Sequence, residues 1–193
     1  MSDVKSVMIV GVGGQGSLLA SRILGNVLLS QGFDVKMSEV HGMAQRGGSV
    51  VTYVKYGKKV YSPTVETGQA DIIISFELLE GARYLSYLKK GGKVIINNQE
   101  IEPMPVITGA MEYPKEIPAK MKELGIDCSI VNALEVAKQV GSSKAVNVVL
   151  MGALSNTMEF DEQVWLDAVK QSVPEKFLEM NLKAFTMGRQ LAL

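Results

Sequence analysis

Two glycine-rich stretches hold the residues whose types and spacing could do chemistry. The first, Gly11-Val12-Gly13-Gly14-Gln15-Gly16, lies between a β-rich apolar run, Val7 to Val10, and a segment of helical spacing from about Gln15 to Ser30. Gly11, Gly13 and Gly16 fit G-x-G-x-x-G in a strand–turn–helix context. Without Cβ atoms such a turn can adopt positive φ and let an anion touch the backbone. The helix start then supplies N–H groups and the positive end of its dipole. Two readings stand here: binding of a phosphate or pyrophosphate, and close packing of helix on sheet. The spacing also fits the G-x-x-x-x-G of an NTPase loop, but Ser17 and Leu18 follow Gly16 where a lysine and then Ser or Thr are required, so that reading is rejected. A dinucleotide site would place an acidic residue at the end of the second strand, and Glu39 stands 23 residues beyond Gly16.

The second stretch, Glu39 to Ser49, contains the single histidine of the chain, His41, followed by Met43, Gln45, Arg46, Gly47 and Gly48. It begins at the carboxyl end of a predicted strand, where open α/β sheets receive their ligands. His41 could carry a proton or donate a hydrogen bond, and Arg46 could grip a phosphate or carboxylate through two N–H groups. The alternative is that both satisfy backbone carbonyls in a tight loop. Elsewhere, Cys128 within the apolar run Ile126 to Val131 reads as a small buried hydrophobe, not a nucleophile. Trp165 reads as packing or interface, and Asn147 as a helix cap or a residue lining the site. The methionines, Met43, Met104 and Met111 among them, divide between core and partner-facing surface.

The elements that must position these residues alternate along the chain. Buried strands are expected at Val7–Val10, Phe33–Val40, Asp71–Ser75, Lys93–Asn97 and Ile126–Val131, with helical sequence between them and Gly32, Gly91-Gly92 and Gly125 as helix ends. This is the pattern of a three-layer, Rossmann-like α/β fold with a mostly parallel sheet. Ser49–Ser62 alternates with period two around Tyr56-Gly57-Lys58 and is expected as an antiparallel hairpin on the sheet edge. Pro103, Pro105, Pro114 and Pro118 make the following stretch a loop with one short strand near Val106-Ile107. After Asn132 the chain is expected to be helical, with Asn132 and Asp161 as caps and Pro174 in the first turn of the last helix.

Composition narrows the function. The 193 residues suit a single domain, residues 1–193, with no internal repeat or linker. Twenty basic against 20 acidic side chains leave no net charge to attract nucleic acid. One cysteine and one histidine exclude an internal disulfide, a cysteine- or histidine-based metal cage and an iron–sulfur cluster held by this chain alone. The opening MSDVKSVMIVGVGG runs straight into strand and turn and does not read as a signal peptide, and no apolar stretch is long enough to span a bilayer. A cytoplasmic protein is expected.

Together, GVGGQG and, about thirty residues on, HGMAQRGGSV resemble the gamma-type subunit or domain of the 2-oxoacid:ferredoxin oxidoreductases. Met43-Ala44-Gln45 before Arg46 points to the indolepyruvate branch and its small, or beta, subunit. The run Ala145 to Leu154 is similar to the family's Asn-to-Gly-Ala helix, and the resemblance covers essentially the whole chain.

The resemblance implies oxidative decarboxylation of a 2-oxo acid to an acyl-coenzyme A, with ferredoxin as electron acceptor. Thiamine diphosphate and the iron–sulfur clusters would belong to a large partner subunit, and this chain alone would not catalyse. It would complete the active site at the subunit interface and contribute to the coenzyme A site. Gly11, Gly13, Gly14, Gln15 and Gly16 would meet the anion, with N–H groups from Gly13 to Gly16; Arg46, with Gly47 and Gly48, would add charge, and His41 and Gln45 would face substrate or partner. No metal is expected in this chain. Isolated, it could form a homodimer. Two other functions fit the residues less fully: an NAD(P)- or flavin-binding oxidoreductase using the turn and Glu39, and a non-catalytic assembly subunit whose turn only packs.

Overall fold

A computed structural model of the chain describes residues 4–42 and 47–191. Its strands are β1 (Lys5–Val12), β2 (Asp34–His41), β3 (Ser49–Gly57), β4 (Ala70–Ser75), β5 (Leu88–Asn97) and β6 (Asp127–Val131). They form one sheet in the order β2-β3-β1-β4-β5-β6. The pairs β1–β4, β4–β5 and β5–β6 are parallel, and β3 runs antiparallel to both neighbours. The α-helices are α1 (Ser17–Ser30), α2 (Leu78–Arg83), α3 (Met104–Ile107), α4 (Ile117–Glu123), α5 (Ala133–Gln139), α6 (Val146–Ser155), α7 (Glu162–Ser172) and α8 (Leu178–Arg189).

Period-two alternation along β1 divides the core. Val7 and Ile9 face a large cluster with α1 and α5 to α8, while Met8 and Val10 face a smaller one with Leu78, Ile117 and Met121. The result is the expected three-layer α/β arrangement with an antiparallel edge hairpin. That hairpin, however, is β2–β3, closed across the loop after His41, and not a pairing within Ser49–Ser62. Beyond Gly57 the ladder ends because the Asp34 carboxylate takes the Val60 N–H at 2.9 Å and turns the chain away.

Two local expectations are corrected. Val106-Ile107 belongs to the short helix α3, since Pro103 at its cap position starts a turn that Val106 and Ile107 close onto the Pro103 carbonyl. Gly91-Gly92 lies inside β5, beside an irregularity in the β4–β5 register, where Gly91 takes φ 78° and a Cβ at Gly92 would strike backbone oxygens. Pro174 precedes a short 3₁₀ turn, and α8 starts at Leu178. Gly32 and Gly125 do end helices, both with positive φ.

The helical third packs on α1 through α7 and α6, and α6 crosses α8 closely. A Cβ at Gly152 would run into the Phe185 carbonyl, and one at Gly188 into that of Val149. Trp165, fully buried, stacks on Phe185 with ring centroids 6.0 Å apart. Gly152→Ala should therefore destabilise the fold by about 1–3 kcal/mol in urea unfolding, because neither backbone can give way. Cys128 is half-buried against Met121, and burial pushes its thiol up to about 11. It should resist iodoacetamide at neutral pH in the folded chain and react once urea unfolds it.

Candidate functional site

The first glycine stretch leaves β1 at the carboxyl rim of the sheet and enters α1 with its backbone donors exposed. Gly16 occupies the cap position at φ 87°, no side chain caps the helix, and its first turn has no acidic residue. The N–H groups of Gly14, Gly16, Ser17 and Leu18 have no acceptor among the described residues. Gly13, by contrast, gives its N–H to the Gly48 carbonyl at 2.9 Å, and that of Gln15 reaches Val12 at 3.4 Å. The donors on offer are thus shifted along the turn from the expected Gly13–Gly16 set, because Gly13 is used to join the two glycine stretches.

Side chains hold the turn from below and from the side. The Gln15 amide folds back over Gly11, accepting from the Val12 N–H at 2.8 Å and donating to the Phe76 carbonyl at 3.3 Å. A Cβ at Gly11 would collide with it, which explains that glycine. Asn147, in the first turn of α6 and buried, donates to the Gly16 carbonyl at 3.2 Å while its Oδ1 accepts the Val148 N–H at 2.8 Å, so it latches the turn and, as one of the two expectations had it, lines the cavity beside it. A Cβ at Gly16 would meet the same amide. Asn97 on β5 also donates to Phe76, at 3.1 Å, and to Gln99 at 3.0 Å.

Two cavities flank the turn, and Gly14 and Gly16 line both. One, of about 440 Å³, opens towards Glu39 and His41. His41 is exposed at the end of β2, with Nδ1 3.3 Å from the Gly42 carbonyl. The Glu39 carboxylate accepts from Ser17 Oγ at 3.1 Å and Thr52 Oγ1 at 2.9 Å. Because β3 lies between β1 and β2, Glu39 stands on a strand not adjacent to β1 and reaches the turn only through Ser17, with its Oε2 already engaged by two hydroxyls, unlike the ribose-binding acid expected beside β1. The other cavity, of about 620 Å³, extends between the turn, α6 and α8. Gly47, at φ 74°, and Gly48 approach the crest, whereas Met43, Gln45 and Arg46 lie outside the described residues.

A pair of buried carboxylates beneath the rim was not foreseen. Glu77 caps α2, accepting the N–H groups of Leu79, at 3.0 Å, and Glu80, and the Tyr113 hydroxyl at 3.2 Å. Glu80 accepts from Ser49 Oγ and pairs with Arg83 Nε at 3.0 Å. Ser49 follows Gly48 directly and pairs with Val12, so this network fixes the outgoing limb of the second loop. Its only sequence signal is acidic residues just past the apolar run Asp71–Ser75.

Comparisons with known proteins give the family and the fold. A family model described as pyruvate ferredoxin/flavodoxin oxidoreductase matches residues 6–191. The chain belongs to that family. It is 42% identical, over 97% of its length and 95% of the relative's, to "Indolepyruvate oxidoreductase subunit IorB" of Thermococcus kodakarensis. Its fold matches the gamma subunit of a keto/oxoacid ferredoxin oxidoreductase from Geobacter sulfurreducens, with TM-score 0.72 and 24% identity over 96% of both chains. It also matches 31% of the chain of a 2-oxoglutarate:ferredoxin oxidoreductase from Magnetococcus marinus that has coenzyme A and succinyl-CoA bound, with TM-score 0.74, 19% identity and 98% of this chain covered. Within the oxidoreductase family, then, the chain is of the small-subunit type.

In this small subunit Glu77 carries a pH dependence. Burial raises its pKa, opposed by the N–H groups it caps and helped by the charge of Glu80. The folded state then holds the proton to higher pH than the unfolded one, so stability present below the ordinary glutamate range, about 4, is lost as pH rises towards the folded value. Urea unfolding of Glu77→Gln against wild type across that interval should show a shallower loss in the variant.

Proposed function

We propose that this chain is the small subunit of a ferredoxin-reducing 2-oxoacid oxidoreductase of the indolepyruvate type, a single domain that acts in the cytoplasm with a large partner subunit. The observation that carries the site reading is the bare start of α1. Four N–H groups without acceptors among the described residues converge at the sheet's carboxyl rim beside two cavities. A ligand with phosphate groups suits that seat, and coenzyme A is the one the relatives suggest. Thiamine diphosphate and iron–sulfur clusters fall to the partner, since one cysteine cannot hold a four-iron cluster. Decarboxylation and electron transfer to ferredoxin would occur there, with this chain supplying a wall of the active site.

Within that role Gly14 and Gly16 offer backbone donors, Gly13 and Gly48 keep the two loops together, and Gly11 and Gln15 hold the turn. Arg46 adds charge from the second loop beside Gly47, and His41 and Gln45 face the substrate or the partner. Exposed Met104, Ile107 and Met111 form an apolar surface that supports docking of a partner subunit. Among the described residues no helix is long and apolar enough to cross a membrane.

Titration calorimetry of the assembled two-subunit complex with coenzyme A tests the reading. Binding is expected, weakened by about tenfold in Arg46→Ala, with no comparable binding of NAD. Absence of coenzyme A binding, or full affinity in the variant, would refute the assignment.

A further inference from the structure

Ser49 forms the neck of the second glycine loop. Its backbone carbonyl accepts from the Gly42 N–H at 3.3 Å, which ties the outgoing limb to the incoming one. Its neighbour Gly48 takes the Gly13 N–H at 2.9 Å, and Ser49 itself pairs with Val12 at the start of β3. The position of this one residue therefore sets how the loop closes and how it meets the glycine turn.

The end of a strand frays unless something beyond the ladder holds it. Here the holder is a side chain on another element. Ser49 Oγ donates to Glu80 Oε2, and the Tyr84 hydroxyl stands 3.3 Å from the same Oγ. Glu80 lies on α2, is only 4% exposed, and uses its other oxygen to pair with Arg83 Nε at 3.0 Å. A carboxylate this withdrawn from water is unfavourable unless its oxygens are bonded, and it grips a hydroxyl more strongly than a neutral acceptor does. The anchor is also firm. A Cβ at Gly81, the next residue, would strike Ile96 and crowd Ser75, so α2 lies hard against β4 and β5. Neither Glu80 nor Ser49 lines either cavity beside the turn. Any effect they have on a ligand must pass through the loop.

Resting on the anion reading above, we infer that Glu80 and Ser49 are positioning residues for the anion site. Glu80, fixed to the sheet through α2, holds the Ser49 hydroxyl; Ser49 in turn holds Gly48 against Gly13. That clasp occupies the Gly13 N–H and keeps the loop in register with the donors of Gly14 and Gly16. Without the bond between Ser49 and Glu80 the neck can slide along its contact with Gly13. Affinity for the anion then falls, although neither residue touches it.

Titration calorimetry of the assembled two-subunit complex, with coenzyme A and separately with inorganic pyrophosphate, tests this on Ser49→Ala, Glu80→Gln, their double variant and Ser49→Thr. Steady-state assays of the same complexes give KM for coenzyme A and for indolepyruvate. Each single loss is expected to weaken anion binding about tenfold and to raise KM for coenzyme A to match, with KM for indolepyruvate unchanged. The double variant should be no weaker than either single one, because both remove the same bond. Ser49→Thr, which keeps the hydroxyl, should restore the affinity. A merely structural role would instead lower kcat and the yield of complex and leave KM for coenzyme A in place, and that result overturns the inference. So do losses that add in the double variant. Full anion affinity in Ser49→Ala beside weakened binding in Arg46→Ala overturns it too and leaves the coenzyme reading standing. Pyrophosphate binding that falls tenfold in the variants, with no binding of coenzyme A, supports it and overturns the coenzyme reading. Binding of neither anion overturns both. Should Glu80→Gln fail to assemble, Ser49→Ala against Ser49→Thr decides.

Discussion

The N–H groups that open α1 stay bare because other elements hold the turn without covering it. A Ser, Thr or Asp at the cap would stabilise the helix by about 1 kcal/mol, but its side-chain oxygen would occupy the space an incoming anion needs. Gly16 at positive φ gives up that cap. Its position is recovered through other contacts: Gln15 onto Val12 and Phe76, Asn147 onto the Gly16 carbonyl, and Gly13 onto Gly48. Each is an ordinary hydrogen bond, worth about 1 kcal/mol net. Their joint effect is geometric, since they hold the turn while four donors stay without acceptors among the described residues and space is left on two sides.

The insertion of β3 between β1 and β2 decides what else reaches that point. In a simple strand–helix–strand unit β2 would lie beside β1 and bring its acidic end residue to the turn. Here β3 takes that place, Ser49 pairs with Val12, and Gly48 is delivered to Gly13. Glu39 is carried out by one strand and given to Ser17 and Thr52. The same topology that removes a ribose partner therefore joins the two glycine loops.

Most of the fold was legible in the sequence because its signals are local. Apolar runs, or for β3 period-two alternation, marked the strands of the sheet, and Gly32 and Gly125 marked helix ends. Two of the errors share one cause. Alternation after Gly57 looked like a second strand, but a distant carboxylate, Asp34, captured Val60, and Gly91-Gly92 looked like a terminus when strand pairing with β4 had made it an irregularity. The site divides the same way. The glycine turn and the loop after β2 were visible in residue types, whereas Asn147, 131 residues from Gly16, declares its role only when α6 docks on α1. Glu77 and Glu80 are unremarkable in sequence, and only burial gives them meaning.

The engaged state of the carboxylates bears on what this chain contributes to a reaction. Glu77 is consumed in capping α2, Glu80 in holding Ser49 and Arg83, and Glu39 in binding two hydroxyls. A general base needs a lone pair free to approach the substrate; Glu77 and Glu80 have both carboxylate oxygens engaged by the scaffold, and Glu39 is engaged through Oε2. Beside Glu39, the rim presents positive groups: the backbone donors and the dipole of α1. That distribution suits the holding of an anion, with proton abstraction and electron transfer left to groups from outside the chain. A small subunit of an oxidoreductase whose carbon and electron chemistry is carried by cofactors requires little more of its own side chains than position and charge.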